Sequence, residues 1–485
     1  MREAIIILFL AMNVVIALFS QFGKRKIKTE EDMNLGSRKF GWFTSGASAA
    51  ASGCSAYAFI GMAGAAYTVG VSMIWYSALA TIWSWGVFYL MGKRLRRLSV
   101  KTGTTTVVDY LSARFEDKMG VFRLISALVI VGFMTAYVTS NFQAIGKAFL
   151  SFLGWKMAVG ILIGAVVVAF YTALAGFRAN TWLNTIQGVI MLIGSGVLLI
   201  FILVRAGGLT ALLTQAAAIE PNLITVTGGK AGWVFAAFLI GWVGSGMMGL
   251  GNPHVAVRPM GQKDDAGMKQ AGIWSYVINV WVMYMGVFSG LAARVWLGNL
   301  NDVDLAYGMI VGEIMAPVLG ALVIAGILSA TMSTVSAQLL VAATEISTNI
   351  FRRIKKQFDE SFRINITRVC VIVLALISIY FSFNSGEIVF YLILFAWAGL
   401  GCSFGPILLL SLYWKRMTWA GALAGMVAGA VAVVVWKQTP ALSKLIYEGF
   451  PGMVISFIAI FVVSYLTRPP ESADEMIEFS KRNAA

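Results

Sequence analysis

One stretch of this sequence, residues 328 to 338, carries an unusual density of hydroxyl side chains in an otherwise apolar helix. Two of these hydroxyls, on Ser333 and Thr334, are adjacent in the chain. A hard monovalent cation needs several oxygen ligands, and two hydroxyls facing unwound backbone carbonyls supply them without a fixed negative charge. The alternative is that each hydroxyl returns to a carbonyl of its own helix. The adjacent pair favours a cation site.

Two other stretches interrupt their helical pattern with small residues, at positions 49 to 57 and 241 to 253. Glycine weakens a helix and permits unusual backbone angles, so each stretch can unwind and turn carbonyls and amides into a cavity. The alternative is that small residues only let helices pack closely. Counted from the second apolar run of the chain, the two stretches fall in the first and sixth of ten successive runs. This matched placement favours a transporter built from two inverted repeats.

Residues typical of catalytic or metal sites are scarce. His254 is the single histidine and is predicted to lie at a cytoplasmic helix end. Cys54, Cys370 and Cys402 all fall within apolar stretches, so disulfides are not expected. No Cys or His cluster has the spacing of metal ligands, and no loop is long enough for a soluble catalytic module. We therefore do not expect an enzyme.

The elements that position these residues are membrane-spanning helices. The chain has 485 residues, 59% of them hydrophobic and 12% charged, and a mean hydropathy of +0.81, whereas soluble domains carry about 25% charged residues. Each apolar run of about twenty residues can cross a hydrocarbon core of about 30 Å. The first run is interpreted as a retained helix, because a basic segment and no cleavage site follows it. About thirteen spans are predicted, at residues 3–21, 41–69, 72–92, 121–150, 157–177, 181–206, 231–252, 271–297, 307–349, 366–384, 388–412, 418–436 and 447–467.

The net charge of +15 is distributed unevenly between alternate loops. Most Lys and Arg residues fall on one side, which the positive-inside rule assigns to the cytoplasm, so the N-terminus is predicted outside and the C-terminus inside. The basic clusters are therefore interpreted as orientation signals that contact lipid headgroups, and no nucleic acid is expected. These clusters lie at residues 24–28, 93–101, 352–356 and 415–416, and the outer loops carry Glu220, Asp302 and Asp304.

Five short motifs along the chain are shared with one transporter family. They are Leu35-Gly36-Ser37-Arg38; Gly176-Phe177-Arg178-Ala179-Asn180; Asn252-Pro253-His254 with Arg258; Ala330-Thr331-Met332-Ser333-Thr334 with Gln338-Leu339-Leu340; and Ala396-Trp397-Ala398-Gly399 followed by Phe404-Gly405-Pro406. Through them the chain resembles, over essentially its whole length, the sodium/solute symporter family, close to the bacterial sodium/proline and sodium/pantothenate symporters.

The resemblance implies an all-α membrane protein with a LeuT-type core of two inverted five-helix repeats, in which the first and sixth core helices are broken. One extra transmembrane helix precedes this core and two follow it. The implied segments are the N-terminal helix at 1–22, the first repeat at 40–206, the second repeat at 230–412, the two extra helices at 418–467 and a cytoplasmic tail at 468–485.

The resemblance also implies one sodium site of the Na2 type between the first and eighth core helices. Carried over by position, its ligands are the backbone carbonyls of Ala51, Cys54 and Ala330 and the hydroxyls of Ser333 and Thr334. The hydroxyl density and the small-residue run single out the same two segments without the family.

A solute pocket is implied beside this sodium site. Its expected residues are Ser55 and Tyr57 on the first core helix, Tyr137 on the third, Trp242 on the sixth and Trp397 on the tenth. The rings can stack on an apolar solute body, while Ser55 and the free amides of a broken helix bind a carboxylate. The alternative for each aromatic residue is packing against lipid or against the core.

Two positions depart from the family pattern. Gly53 stands where sodium/proline symporters have an aspartate, which argues against a proline-type site. Asn184 stands where much of the family has an aspartate on the fifth core helix, which puts a second sodium site in doubt. Four ionisable residues lie in or near spans, and they are expected near helix ends: Lys147, Glu313, Glu345 and Glu387. Of these, Glu313 is the candidate for proton coupling.

The leading prediction is a sodium-coupled symporter of a small polar solute, an amino acid or small carboxylate, that works by alternating access. It is expected in the bacterial inner membrane, functional as a monomer. One alternative keeps the fold but couples transport to protons or to no ion. Another is a membrane sensor that transports nothing, which the absence of a recognisable signalling domain disfavours.

Overall fold

The computed structural model describes residues 1–19, 27–351, 359–384 and 388–481. Within these ranges the chain is almost entirely helical and contains no β-strand, apart from an isolated bridge between Phe40 and Gln262. Residues 24–26 of the predicted basic cluster 24–28 lie outside the described residues, as do the whole cluster 352–356 and Glu387.

The helices are numbered in chain order. The first eleven are α1 (Arg2–Phe19), α2 (Glu30–Leu35), α3 (Trp42–Cys54), α4 (Ile60–Val69), α5 (Ile74–Ala80), α6 (Trp83–Gly86), α7 (Lys93–Lys101), α8 (Val107–Arg114), α9 (Val121–Leu153), α10 (Met157–Ala206) and α11 (Leu209–Ile219). The others are α12 (Gly232–Met248), α13 (Pro253–Met260), α14 (Met268–Leu297), α15 (Ala306–Ile314), α16 (Pro317–Glu345), α17 (Glu360–Asn384), α18 (Val389–Tyr413), α19 (Trp419–Gln438), α20 (Pro440–Ser443), α21 (Gly449–Leu466) and α22 (Ala473–Lys481).

Among the described residues, 12 helical stretches are long and apolar enough to cross a membrane. One of them, Ala56–Lys101, has 46 residues, about twice the length that a single crossing needs. The stretch is broken at Gly70, where φ is 70° and ψ is −148°. It therefore contains the second half of the predicted span 41–69 and the whole of the predicted span 72–92. The count agrees with the predicted thirteen spans.

The first predicted break is present but shorter than expected. α3 stays helical through Cys54, and the chain departs from helix at Ser55, where φ is 38° and ψ is −172°. A short 3-10 turn, Ala56–Ala58, leads into α4. The expectation that positions 49 to 54 unwind was wrong, because alanine favours helix more strongly than any other residue and dominates that segment.

The second break lies beyond the glycine run that drew attention to it. α12 is helical through Gly241–Met248 and tightens to a 3-10 turn at Gly249–Gly251; Asn252 is then extended and Pro253 begins α13. Proline suits the first position of a helix because its missing N–H needs no partner there. The glycines inside α12 serve close packing: a Cβ at Gly246 would lie 2.4 Å from the Leu79 carbonyl oxygen.

Two other predicted limits differ in the structure. α10 is divided at Gly176, where φ is 57°, into the spans Met157–Leu174 and Gly176–Ala206, close to the predicted 157–177 and 181–206. The predicted span 307–349 was wrong at its start, because α15 is a separate short helix. Ala316 is extended ahead of Pro317, as expected for a residue that precedes proline, and the crossing helix α16 begins only there.

The centre of the fold is formed by α16 and α18, which are buried on nearly all sides. A helix that is apolar all round belongs in such a position. The C-terminal tail, predicted only as a cytoplasmic segment at 468–485, contains a helix. Its helix α22 lies against α7 and the α18–α19 loop, with ion pairs from Lys101 to Glu475 at 2.5 Å and from Lys415 to Asp474 at 3.3 Å.

Candidate functional site

The adjacent hydroxyls of α16 face the carboxyl end of α3. Ser333 Oγ lies 2.8 Å from the carbonyl oxygens of both Ala51 and Ala330. Thr334 Oγ1 lies 3.0 Å from the Ala330 oxygen, 2.9 Å from the Ser52 oxygen and 3.3 Å from the Ala51 oxygen. We call these five oxygens, from Ala51, Ser52, Ala330, Ser333 and Thr334, the oxygen cluster. All five residues are fully buried.

The two helices supply these oxygens for different reasons. The last carbonyls of a helix have no partner within it, so the end of α3 at Cys54 leaves carbonyls free for other contacts. Thr334 in turn accepts a hydrogen bond from the Ser55 N–H at 3.1 Å. Another hydroxyl of the same run, on Thr331, only returns to the Ile327 carbonyl at 2.8 Å. Contact with a second helix therefore distinguishes Ser333 and Thr334 from a hydroxyl that serves its own helix.

Cys54 is the one predicted cation ligand that the oxygen cluster does not include. It lies on the same turn of α3 and is fully buried, but its thiol contacts Asn279 Oδ1 at 3.1 Å. Among the described residues, no hydrogen bond joins the Cys54 carbonyl to the Ser333 or the Thr334 hydroxyl. Ser52 contributes the carbonyl that faces Thr334 instead, and the sequence analysis did not name it.

The residues expected to bind solute begin where α3 ends. Ser55 Oγ accepts hydrogen bonds from the Tyr137 hydroxyl at 3.3 Å and from the Tyr57 N–H at 3.4 Å. Asn141, one turn beyond Tyr137 on α9, accepts a hydrogen bond from the Ala56 N–H at 3.2 Å. The break in the helix is thus held by side chains of α9 and α16.

Three aromatic rings and the single histidine surround this break. The Tyr137 and Trp397 ring centroids are 6.3 Å apart, and the His254 ring lies 6.0 Å from Tyr137 and 6.3 Å from Trp397. Trp83 packs edge to face on Trp397 at 5.3 Å. The prediction that His254 lies at a cytoplasmic helix end was wrong: it is fully buried at the start of α13, where the broken helix resumes.

Trp242 and Tyr57 are joined through a residue that sequence reasoning missed. Tyr76 on α5 lies 6.1 Å from the Tyr57 ring and 4.7 Å from the Trp242 ring, edge to face in both cases. Trp242 also lines two cavities, of about 510 and 260 Å³, and Phe238 and Tyr391 line both of them as well. It therefore lies between the predicted solute residues and the outer side of the predicted topology.

The two positions that depart from the family pattern, Gly53 and Asn184, both contact side chains of other helices. A Cβ at Gly53 would lie 2.2 Å from Trp83 Cη2, so the indole ring fills the space that a side chain would need there. Asn184 lies next to the oxygen cluster. With its amide oxygen turned toward Arg258, it accepts hydrogen bonds from Arg258 Nη2 and Ser52 Oγ, each at 3.1 Å.

The intramembrane ionisable residues have different surroundings. Lys147 forms an ion pair with Asp304 at 2.6 Å. Glu313, the candidate for proton coupling, is exposed on α15 and pairs with Arg205 at 3.1 Å. Glu345 is the last residue of α16, at a helix end as expected, but it is 1% exposed and accepts a hydrogen bond from Asn349. Within the described residues, no group of three or more His, Cys, Asp or Glu side chains could hold a metal ion.

Sequence reasoning missed several residues of this site. Asn141 carried a usable signal, because an amide in the middle of an apolar helix is costly unless it has a partner. Tyr76 and Trp83 carried none, since aromatic residues in a membrane helix are common at lipid-facing positions. His254 was noticed but misplaced, because the second break was assigned to the wrong glycines.

A family model described as the sodium:solute symporter family matches residues 34–429. Three curated relatives are similar over most of their length. The osmoregulated proline transporter OpuE of Bacillus subtilis (strain 168) is 30% identical and covers 95% of this chain and 94% of its own. The high-affinity proline transporter PutP of the same strain is 30% identical, covering 94% and 97%. A sodium/proline symporter of Staphylococcus aureus is 32% identical, covering 90% and 87%.

Solved structures share the fold at lower identity. A Na+-coupled sialic acid symporter in a substrate-bound outward-open state aligns with a TM-score of 0.82 at 20% identity, covering 96% of this chain and 98% of its own. Mhp1, a nucleobase-cation-symport-1 family transporter, aligns at 0.59 and 16% identity, covering 92% and 98%. MhsT in complex with L-phenylalanine aligns at 0.56 and 13% identity, covering 88% and 98%. These likenesses confirm the predicted all-helical, LeuT-type architecture.

Proposed function

This chain belongs to the sodium:solute symporter family, and from that membership we propose where it binds sodium and what class of solute it carries. It is a multi-pass membrane protein that transports a small solute together with sodium, and it is a transporter rather than an enzyme. The family membership that the sequence motifs indicated is confirmed.

The proposed sodium site is the oxygen cluster, one site of the Na2 type. The observation that carries the proposal is the contact of Ser333 and Thr334 with the carbonyl of Ala51, 2.8 and 3.3 Å away on another helix. Oxygens alone, without a carboxylate, suit a hard cation of low charge. A sodium ion held there would tie α3 to α16, and its release would let the two helices separate. Sodium binding is thereby coupled to alternating access.

The proposed solute pocket is the space around Ser55, Tyr137, Trp397 and Tyr57, with Trp242 on its outer side. The relatives that match this chain are proline transporters by name, but this pocket has Gly53 and the Trp83 ring where their family pattern has an aspartate. A solute held here receives hydrogen bonds from hydroxyls and contacts aromatic faces, with no carboxylate opposite a basic nitrogen. We therefore propose a small carboxylate as the solute, ahead of an amino acid.

The proposed location is the inner membrane of a bacterium, with the N-terminus outside. Support comes from the basic residues of α7 and the α18–α19 loop, all on the side to which the positive-inside rule assigns the cytoplasm. The chain is proposed to work as a monomer in contact with lipid, since one chain supplies every residue of both sites.

The experiment begins with a thermal unfolding screen of small carboxylates and amino acids, with and without sodium, since a bound ligand raises Tm by mass action. The best solute is then tested for uptake into proteoliposomes under an imposed sodium gradient, a pH gradient, or neither. We expect uptake that accumulates only under the sodium gradient. Accumulation driven by the pH gradient alone, or equal uptake without any gradient, would contradict the proposed coupling.

A further inference from the structure

Arg258 on α13 is a buried cation whose partners are all neutral. It is 3% exposed. Nη1 donates to Ser48 Oγ at 2.7 Å and to Thr181 Oγ1 at 3.0 Å, and Nη2 donates to Ser52 Oγ at 2.7 Å. The Asn184 amide oxygen lies 3.1 Å from Nη2. Within the described residues, Arg258 forms no ion pair with an Asp or Glu side chain.

Such an arrangement is costly, because a charge removed from water needs an opposite charge close by. Neutral hydroxyls and an amide oxygen offset only part of that cost. An aspartate at position 184 would place a carboxylate against the guanidinium, but this chain has an asparagine. Among the residues that the structure describes, the positive charge of Arg258 is therefore left without a paired carboxylate.

A cavity lies next to this cation, and polar atoms without partners face it. Its lining includes Arg258, Asn180 and His254. Asn180 is 1% exposed, and neither its amide nitrogen nor its amide oxygen has a hydrogen-bond partner; Arg258 Nε also lacks one. The cavity has about 20 Å³ of space, which exceeds the roughly 10–15 Å³ that a single water molecule needs.

We infer that this cavity between α10, α13 and α16 binds a single small anion, either a halide or the carboxylate group of a solute, against Arg258 and Asn180. An anion there would supply the missing countercharge and accept hydrogen bonds from Arg258 Nε and the Asn180 amide nitrogen. A water molecule would satisfy the amide but not the charge. Glu345 also lines the cavity, but it is hydrogen-bonded by Asn349 and does not pair with Arg258.

The site is adjacent to the oxygen cluster but separate from it. Ser52 joins the two, since its carbonyl faces Thr334 and its hydroxyl faces Arg258. Anion binding would therefore lower the electrostatic repulsion that Arg258 exerts on a cation in the oxygen cluster. The inference predicts that a small anion increases the apparent affinity for sodium.

The test measures thermal unfolding of the purified, solute-free protein at constant sodium concentration and ionic strength. The starting buffer contains the bulky anion methanesulfonate, which is replaced stepwise by chloride or by acetate. We expect a saturable rise in Tm with one or both small anions, because a ligand that binds only the folded state stabilises it. The matched variant is Asn184→Asp, which supplies the carboxylate from within the chain and should abolish the rise. A control, Lys230→Gln, removes a basic residue near the outer side and should keep it.

The outcomes separate the anion sources. A rise with chloride that is lost in Asn184→Asp identifies a halide site, and a rise with acetate alone that is lost in this variant identifies a carboxylate site. The inference is overturned if neither anion raises Tm, or if wild type and Asn184→Asp respond equally. A sodium titration at fixed anion concentration, run in parallel, reports on the oxygen cluster, so failure of the proposed sodium site is distinguishable from failure of the anion site.

Discussion

At the scale of single residues, Gly53 shows how a missing side chain defines the solute pocket. The Trp83 ring occupies the position of a Cβ at this glycine, with a separation of 2.2 Å. The ring in turn packs against Trp397, one of the residues proposed to contact solute. Trp83 and Gly53 therefore form one packed unit that takes the place of the aspartate expected in a proline-type site.

This packing predicts that Gly53→Ala destabilises the protein. The added methyl group must displace a ring that is 1% exposed, and overpacking of this kind costs about 1–3 kcal/mol in the free energy of unfolding. Thermal unfolding measures the change. The control is Gly132→Ala on α9, where a Cβ meets nothing within 4 Å. Equal stability of the two variants would contradict the account of Gly53.

The side chains of the oxygen cluster could be predicted from the sequence, whereas the residues around the solute pocket could be predicted only in part. Ser333 and Thr334 stand out because adjacent hydroxyls in an apolar helix are unusual. Ser52 was hidden because a backbone carbonyl carries no sequence signal. Tyr76 was hidden because its position between Tyr57 and Trp242 depends on how two helices pack, which no local pattern records.

At the scale of elements, Asp304 joins three segments on the outer side of the predicted topology. Its Oδ2 accepts hydrogen bonds from Lys147 Nζ at 2.6 Å and from the Val389 N–H at 3.0 Å. The side chain of Asp304 is 0% exposed and that of Lys147 is 12% exposed. The pair therefore fastens α9 to the start of α18 through the turn that precedes α15.

We expect Asp304→Asn to lower the free energy of unfolding by about 1–3 kcal/mol, because Lys147 then keeps only the partly exposed Asp302, at 2.9 Å, as a charged partner. The double variant Lys147→Met/Asp304→Leu should be less destabilised than Asp304→Asn, since it removes both charges. Asp302→Asn is the matched control, as the Asp302 side chain is 39% exposed. Thermal unfolding measures all three. A double variant that is less stable than Asp304→Asn would contradict a buried, charge-dependent contact.

The existence of both broken helices could be predicted from sequence, but their breakpoints could not. Small residues have two uses, unwinding and close packing, and composition does not separate them. In α3 the alanines stay helical up to Cys54, and in α12 Gly246 lies against the Leu79 carbonyl. Asn252-Pro253 was the better signal for the second break, because proline cannot continue the hydrogen bonds of a preceding helix.

At the scale of the whole molecule, the number of membrane crossings could be predicted, because it depends only on the hydrophobicity and length of the apolar runs. The docking of the C-terminal helix α22 could not, because its partners are distant in sequence. Lys101, at the end of α7, and Lys415, in the α18–α19 loop, both contact it. Basic residues that seemed to serve only orientation therefore also make contacts within the protein.

These contacts predict that acid releases α22. The hydrogen bond from Lys101 lowers the pKa of Glu475, and hydrogen bonds from Lys481 and Lys415 lower the pKa of Glu478. A carboxyl group whose pKa is lowered in the folded state stabilises docking above its ordinary pKa of about 4.3, and this contribution is lost as the pH falls through the lowered value. We expect hydrogen-exchange protection of α22, corrected for intrinsic rates, to be constant from pH 7 to about 5 and to fall below about pH 4.

The control for this prediction is Glu475→Gln/Glu478→Gln, which cannot form either ion pair. Its α22 should be weakly protected at every pH. Protection of wild-type α22 that persists unchanged to pH 3, or a double variant that is as protected as wild type at pH 7, would show that these carboxylates do not hold the tail.

The proposed sodium site is tested most directly by the sodium concentration that gives half-maximal uptake into proteoliposomes for wild type, Ser333→Ala, Thr334→Ala and Thr331→Ala. The first two variants remove hydroxyls that contact α3, whereas Thr331 contacts only its own helix. We expect a rise of about tenfold or more in each of the first two, equivalent to about 1.4 kcal/mol of binding energy, and no change in Thr331→Ala. Unchanged sodium dependence in both Ser333→Ala and Thr334→Ala would contradict the proposal that sodium binds between α3 and α16.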